Sequence, residues 1–176
     1  MKQRSILYIA YGSNMNLSQM AWRCPTAKMI GTSEIKDYEL QFRGKRLGAV
    51  ATIEPSKGST VPVLLWELQQ EDEKALDLYE GYPRLYQKQK MEVVFQGTMV
   101  SAMVYVMAPG YEFGIPSDAY LDGIRQGYRE AGLNTQTLEN ALEQTLERLQ
   151  QGNQVHDKHW WREGKERSEG ICQHRL

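Results

Sequence analysis

Glu80 is a carboxylate at the end of a predicted helix. The stretch Leu76–Tyr79 continues a helical pattern, and Gly81 and Pro83 stop it, which leaves Glu80 in the last turn. A negative charge there meets the negative end of the helix dipole, at a cost of roughly 0.3–1 kcal/mol when exposed. The dipole, with burial against neighbouring tyrosines, raises the pKa of such a carboxyl group. Glu80 is therefore a candidate general base near neutral pH, and a solvated surface glutamate is the alternative.

A second candidate is the loop Tyr11-Gly12-Ser13-Asn14, which follows an apolar strand and precedes a short helix. A chain that leaves a strand at a glycine and enters a helix exposes several backbone N–H groups in one place. Those donors, aided by the positive end of the helix dipole, form a receptor for a carboxylate or an oxyanion. An ordinary capped turn is the alternative interpretation of the same residues.

Histidine is absent from the first 155 residues, because His156, His159 and His174 all lie near the C-terminus. This distribution excludes a Ser-His-Asp or Cys-His arrangement within the folded core. It also excludes a histidine-ligated metal site there, and the lone Cys24 cannot make a zinc site. The chemistry of the core must therefore rest on carboxylates, tyrosines, hydroxyls and backbone amides, and we expect no metal and no cofactor.

Five tyrosines lie in segments predicted as strands or helices. Most buried tyrosines are core residues whose hydroxyl group finds one partner, so we expect only one or two of these to touch a ligand. The five are Tyr8, Tyr82, Tyr86, Tyr105 and Tyr120.

The elements that must position these residues are mostly strands. The run Ser5–Tyr11 is apolar on both faces, which indicates a central strand covered on both sides. A short helix is predicted over Leu17–Arg23. Further strands are predicted over Lys36–Arg43, Gly48–Glu54, Val61–Leu68, Leu85–Phe95 and Thr98–Met107, with turns at Gly44 and Pro55–Gly58 and a hairpin turn at Gln96–Gly97.

Three further helices are predicted. One covers Gln70–Tyr79, and a second is capped by Ser117 and ended by Gly132. A third begins at Thr135 and carries leucines spaced three or four residues apart, which is typical of a helix with one buried face. The leucines are Leu138, Leu142, Leu146 and Leu149.

The overall composition limits which classes of protein this chain can belong to. The chain has 176 residues, 41% of them apolar, with a formal net charge of −1, which is typical of a soluble domain without a nucleic-acid or anionic-membrane partner. No long uncharged apolar run would span a membrane, and the N-terminus lacks a signal-peptide pattern. The two cysteines are distant in sequence and form no CxxC pair, which favours a reducing compartment, and we expect a cytoplasmic protein.

Together the elements predict an α+β fold, with a small curved or barrel-like mixed β-sheet and peripheral helices. Residues 1–150 are predicted to form one domain. Residues 151–176, where charge and glycine dominate, are predicted to be a flexible or loosely docked tail. The mixed charge of that tail argues against nucleic-acid stacking, and docking of Trp160 or Trp161 onto the domain or a partner subunit is the favoured interpretation.

Six segments, in this order, resemble the γ-glutamylcyclotransferase family, including its AIG2-like members. The resemblance covers roughly Ile6 to Leu149 and implies a γ-glutamylcyclotransferase-like fold. The segments are Tyr8-Ile-Ala-Tyr-Gly-Ser-Asn14, Gly48-Ala-Val-Ala-Thr-Ile53, Leu76-Asp-Leu-Tyr-Glu-Gly81, Val104-Tyr-Val-Met107, Pro116-Ser-Asp-Ala-Tyr120 and Gly127-Tyr-Arg-Glu-Ala-Gly-Leu133.

The resemblance implies an enzyme that cyclises a γ-glutamyl group to 5-oxoproline and releases an amine or amino acid, with Glu80 as the proton acceptor. It also implies a small-molecule γ-glutamyl substrate and no cofactor. The Tyr82-Pro83-x-x-Tyr86 element looks more like AIG2-type members, which leaves the leaving amine open. The implied substrate-contacting residues, mainly through backbone amides in the loop, are Tyr8, Ile9, Ala10, Tyr11, Gly12, Ser13, Asn14 and Tyr120.

That chemistry suits a core without histidine. The α-amine of a γ-glutamyl amide is tethered to the carbonyl it attacks, and well-oriented intramolecular attack is worth about 7–11 kcal/mol. A base and a set of oxyanion donors then suffice. A non-catalytic ligand-binding or interaction module on the same scaffold is the alternative, because a fold does not guarantee an activity. A homodimer also remains open.

Overall fold

The structure is a computed structural model that describes residues 5–152. Five strands form one open mixed sheet with the order β2-β3-β1-β5-β4. All neighbouring strands are antiparallel except β1 and β5, which are parallel. The strands are β1 (Ile6–Ala10), β2 (Lys28–Arg43), β3 (Val50–Leu68), β4 (Tyr86–Phe95) and β5 (Thr98–Met107).

The short apolar strand β1 occupies the centre of the sheet, between β3 and β5. Tyr8, Ile9 and Ala10 are all buried, so both faces of the strand are covered. The prediction of a central strand is confirmed. Because β1 ends at Ala10 in the middle of the molecule, the loop that follows begins inside the fold instead of at its surface.

The β2–β3 hairpin differs from its prediction. β2 begins at Lys28 instead of Lys36, and β3 is one continuous strand, so the turn predicted at Pro55–Gly58 and the two separate strands around it are wrong. Residues 56–59 instead bulge out of the ladder opposite Asp37, whose Oδ1 accepts the N–H of Gly58 at 2.8 Å. The turn-forming composition marks this bulge, and pairing on both sides of it keeps the strand intact.

The sheet curves until its two edge strands approach each other. The Ser33 hydroxyl on β2 donates to the backbone carbonyl of Val94 on β4 at 2.6 Å. Nearby, a Cβ atom on Gly31 would lie 2.7 Å from the Phe95 ring. The expected α+β fold with a curved, barrel-like sheet is confirmed.

Four helices accompany the sheet in residues 5–152, besides a 3-10 turn at Ser13–Met15. Side-chain caps begin two of them: Asn16 accepts the N–H of Gln19 at α1, and Ser117 accepts that of Tyr120 at α3. The predicted helix starts and stops are thus confirmed to within a residue or two. The helices are α1 (Leu17–Arg23), α2 (Gln70–Glu80), α3 (Asp118–Glu130) and α4 (136–152).

Two glycines fix where α2 and α3 lie. Gly81 has a left-handed backbone with a φ of 65° and ends α2 immediately after Glu80. Gly127 lets α3 lie against the 3-10 turn, because a Cβ there would be 2.5 Å from the carbonyl carbon of Met15. Gly81 therefore sets where α2 ends, and Gly127 lets α3 pack closely on the turn that follows β1.

The helix α4 continues past the predicted domain boundary at residue 150 as far as residue 152. The rest of the predicted tail, including its histidines and tryptophans, lies outside the described residues. Among the helices of residues 5–152, none is long and apolar enough to cross a membrane.

Candidate active site

A small cavity lies at the carboxyl end of β1, where the loop after β1 meets the end of α2. Its open volume is about 20 Å³, room for one water-sized group. Strand β3 and helix α3 close two of its sides. The cavity is lined by Tyr8, Tyr11, Gly12, Ser13, Asn14, Ala51, Glu80, Tyr86, Tyr105 and Tyr120.

Glu80 projects into this cavity from the last residue of α2 and is partly buried. Burial raises the pKa of its carboxyl group to about 7, and the positive charge of Arg23 and a hydrogen bond from Asn14 lower it from what burial alone would give. Burial is therefore the largest cause of the raised pKa of Glu80. At neutral pH the group is present in both its basic and its acidic form.

Asn14 is the centre of a hydrogen-bond network around this carboxylate. Its Nδ2 donates to Oε1 of Glu80 at 2.8 Å and to the hydroxyl oxygen of Tyr8 at 2.9 Å. Its Oδ1 accepts from Nη1 of Arg23 at 2.8 Å. Asn14 is 2% exposed, so its orientation, and with it that of Glu80, is held from the protein interior.

The loop provides unused backbone donors beside Glu80. Within residues 5–152, the N–H groups of Gly12, Ser13 and Asn14 donate to no protein acceptor, whereas the next two N–H groups bond back to Gly12 and Ser13. All three of those residues line the cavity. The structure therefore places unpaired backbone donors and the Glu80 carboxylate around one cavity, and a role for them as an anion receptor stays a prediction.

Tyrosines form most of the remaining wall. Burial raises the pKa of each of the cavity tyrosines above its ordinary value, so they stay neutral and can donate or accept hydrogen bonds. The Tyr120 hydroxyl accepts the N–H of Ala51 at 3.0 Å, and the Tyr86 hydroxyl donates to the Ala51 carbonyl. The Tyr11 hydroxyl donates to the Tyr105 carbonyl at 2.6 Å.

The structure brings together seven of the nine residues that the sequence proposed for the site. Ile9 and Ala10 are the exceptions: they lie in the core and do not line the cavity, so a contact between their backbone and substrate stays a prediction. Tyr82 also lies elsewhere, 43% exposed, with Nζ of Lys88 4.7 Å from its ring centre. It does not bury Glu80.

Sequence reasoning missed Ala51 and Arg23 and left Tyr86 and Tyr105 undecided. Four of the five candidate tyrosines line the cavity, and how many of them touch a ligand stays a prediction. Arg23 was placed only as the end of a short helix. A basic residue in that last turn is ordinary dipole compensation, so no local signal distinguishes it.

A larger groove, of about 700 Å³, lies at the opposite end of β1. Its wall includes Glu73 and Lys88, but these two charges already form an ion pair at 2.6 Å. It contains neither Glu80 nor the loop donors. The smaller cavity, which holds both, is therefore the candidate active site.

No three His, Cys, Asp or Glu side chains in the described part of the chain are grouped so that they could hold a metal ion. Cys24 is 1% exposed, and burial raises the pKa of its thiol to about 11. The thiol is therefore neutral and inaccessible, which argues against a role as a nucleophile.

The chain is similar to a known family and to several named relatives. The model of "Gamma-glutamyl cyclotransferase, AIG2-like" matches residues 8–126. Gamma-glutamylcyclotransferase from Homo sapiens is 31% identical over 140 residues, covering 74% of each chain, and that from Bos taurus is 32% identical over 138 residues, covering 73% of each. A solved structure named gamma-glutamyl cyclotransferase superposes with a TM-score of 0.71 at 28% identity, covering 78% of this chain and 86% of that one.

The matched region contains every residue that lines the cavity, from Tyr8 in the central strand to Tyr120. On this evidence the chain belongs to the γ-glutamyl cyclotransferase, AIG2-like family.

Proposed function

We propose that this chain is a γ-glutamylcyclotransferase that converts a γ-glutamyl compound into 5-oxoproline and a free amine or amino acid, with Glu80 as general base. The observation that supports the proposal is the closeness of Glu80 to the backbone donors of the loop after β1. A carboxylate with a pKa near 7 lies in the same cavity as three unused backbone N–H donors. The family and the names of the relatives support the same activity.

In this mechanism, Glu80 takes a proton from the substrate α-ammonium group, and the freed nitrogen attacks the γ-carbonyl carbon. The N–H groups of Gly12, Ser13 and Asn14 stabilise the negative oxygen that forms, or the substrate carboxylate. The bond from the carbonyl carbon to the leaving nitrogen then breaks. The attacking nitrogen loses two protons in all, and both end on the leaving amine, so Glu80 returns to its starting state.

Substrate entry requires side chains at the rim to move, because the cavity has room for only a water-sized group. Tyr79 is the rim residue best placed to do so, since it is 45% exposed and its hydroxyl bonds Ser13 at 3.0 Å. Displacing Tyr79 would free the Ser13 hydroxyl at the same time. Binding of substrate and opening of the cavity are thus coupled.

The test is Glu80→Gln, which keeps the acceptor for Asn14 but removes the base. We expect release of 5-oxoproline from γ-glutamyl amino acids to fall by a factor of about 10²–10⁴, with an unchanged circular dichroism spectrum. The matched control is Glu92→Gln, an exposed glutamate on β4, which should keep full activity.

Full turnover by Glu80→Gln on every γ-glutamyl substrate would refute the role of Glu80. If wild-type protein binds γ-glutamyl compounds in thermal-shift assays and forms no 5-oxoproline, the chain is a binding module instead.

A further inference from the structure

Arg23 is a cation held beside the site by neutral partners. It ends α1 and is partly buried. Besides Asn14, its guanidinium donates to Gln19 Oε1 at 2.7 Å and to the Tyr79 hydroxyl at 2.8 Å, and it lies 3.7 Å from the centre of the Tyr79 ring. Within residues 5–152 it forms no ion pair with a carboxylate, unlike Arg43, Arg125 and Arg148.

The chemistry of a guanidinium group fixes how Asn14 must point. Arginine has donors and no acceptor, so the Asn14 atom that faces it must be the carbonyl oxygen. The Asn14 amide nitrogen therefore faces the other way, toward Glu80 and Tyr8. A flipped amide would set N–H groups against N–H groups and place an oxygen against the carboxylate of Glu80, which is unfavourable at both ends.

This direction has two consequences in the cavity. The Asn14 amide donates to Glu80, which favours the ionised carboxylate. It also donates to the oxygen of Tyr8, so the hydrogen of the Tyr8 hydroxyl is not used by Asn14. Within the described residues that hydroxyl donates to no protein acceptor, and it remains available to a bound molecule in the cavity.

We propose that Arg23 is a positioning residue: by fixing the direction of the Asn14 amide, it keeps an N–H donor on Glu80 and leaves the Tyr8 hydroxyl hydrogen for the substrate. The proposal rests on the proposed function for its catalytic meaning. Arg23 itself touches neither substrate nor reacting atoms. Its hydrogen bond acts on Glu80 through Asn14, and its positive charge also favours the ionised form of Glu80 directly.

The groups around Glu80 come from every neighbouring element. Arg23 on α1 is the charged one, and the others are tyrosine hydroxyls. Burial keeps the tyrosines of the cavity wall neutral, so Arg23 and the Asn14 amide are what favour the carboxylate. The tyrosines are Tyr8 and Tyr11 from β1 and its loop, Tyr86 on β4, Tyr105 on β5 and Tyr120 on α3. Tyr79 on α2 lies outside that wall, and its hydroxyl bonds Ser13 and Arg23.

The test measures the titration of Glu80 directly, by ¹³C NMR of glutamate-labelled protein, together with the pH dependence of kcat/KM. Arg23→Met should raise the midpoint of Glu80 by about one pH unit, and the acid limb of the activity profile should move with it. Arg23→Lys keeps the charge but cannot span Asn14, Gln19 and Tyr79 together, so its Glu80 midpoint should lie between those of wild type and Arg23→Met.

The control is Arg129→Met. Arg129 also lies in the last turn of its helix but is exposed and has no side-chain contact with the cavity, so this variant should leave the midpoint unchanged. A double-mutant cycle with Asn14→Leu completes the design: in that background Arg23→Met should lose the part of the shift that Asn14 transmits and keep only the smaller, direct effect of the charge.

Two results would overturn the proposal. An unchanged midpoint in Arg23→Met would show that Arg23 does not influence Glu80, and a full extra shift in the Asn14→Leu background would show that Arg23 does not act through Asn14. If Arg23→Met fails to fold, Arg23→Lys and the cycle built on it decide the question. The NMR titration needs no turnover, so failure of the proposed function is recognised separately, by wild-type protein that forms no 5-oxoproline.

Discussion

Glu80 costs the folded protein free energy whenever it is ionised. Its pKa is about 7 in the folded state, against an ordinary value of 4.5, because burial disfavours the charge. Between these two pH values the folded chain binds a proton that the unfolded chain has already lost. The free energy of unfolding therefore falls as pH rises from about 4.5 to 7.

Replacing Glu80 with glutamine should therefore stabilise the protein above neutral pH while it lowers turnover. We expect Glu80→Gln to raise the free energy of unfolding by about 1–3 kcal/mol at pH 8, since a shift of one pKa unit corresponds to 1.36 kcal/mol. Near pH 4 the difference from wild type should vanish, because the carboxyl group is then protonated in both states. Urea unfolding at the two pH values checks this.

Glu92→Gln is again the control, since Glu92 is exposed on β4. A stability difference for Glu80→Gln that is the same at pH 4 and pH 8 would contradict a raised pKa for Glu80.

Glu80 and the loop residues are predicted from a local signal, whereas Tyr120 is implied by the family resemblance. Glu80 stands before Gly81 and Pro83, and the loop residues follow a strand at a glycine, so chain neighbours alone mark them. Arg23 and Ala51 have no such signal. They join the site only because α1 and β3 pass beside it, which is a fact of tertiary structure.

At the scale of elements, the packing of α3 on the 3-10 turn at Ser13–Met15 controls the shape of the loop. Gly127 lies where the two touch, and backbone atoms of Met15 occupy the space that a side chain would need. Since Met15 directly follows Asn14, any movement of α3 reaches the donors of the cavity. Tyr120, from the first turn of the same helix, would move with it.

Gly127→Ala should therefore lower both stability and activity. We expect a loss of about 1–3 kcal/mol in the free energy of unfolding, as for other overpacked sites, and a rise in KM as the loop shifts. Gly123→Ala, on the same helix, is the matched control. There the new Cβ meets only the flexible end of Gln19, and the variant should be neutral or up to about 1 kcal/mol more stable.

Urea unfolding of both variants, with kinetics on a γ-glutamyl substrate, provides the measurement. Equal stabilities for the two variants would show that the contact with Met15 does not limit the position of α3.

Strands β2 and β3 show that a local sequence pattern does not predict which segments pair in a sheet. Pro55–Gly58 has the composition of a turn, yet the chain continues as β3, because its pairing with β2 resumes at Thr60 beyond the bulge. Residues 28–35 of β2 likewise have weak strand character and are held by the opposite half of β3. The pairing partner decides both cases, and it is distant in sequence.

At the scale of the whole molecule, the candidate site is assembled from six separate parts of the chain. They are β1 with the loop that follows it (residues 8–14), Ala51 on β3, Glu80 on α2, Tyr86 on β4, Tyr105 on β5 and Tyr120 on α3. No single hairpin or helix pair contains the site. It exists only when the sheet and both flanking helices are in place.

Activity and fold should therefore be lost together. We expect 5-oxoproline formation and the far-ultraviolet circular dichroism signal to disappear in one urea transition with the same midpoint. Loss of activity at urea concentrations that leave the sheet intact would show that the loop or α3 opens independently of the rest. Hydrogen exchange of the Gly12–Asn14 amides would then locate that opening.

The neutral, inaccessible thiol of Cys24 affects how well the protein resists oxidation and alkylation. The proposed chemistry uses a carboxylate, phenols, an amide and backbone N–H groups, none of which is readily alkylated or converted to sulfenic acid by peroxide. The sulfur of Cys24 is shielded from both reactions by burial and by its high pKa. A site of this composition keeps its catalytic groups under oxidative stress that would silence an enzyme built on a reactive cysteine.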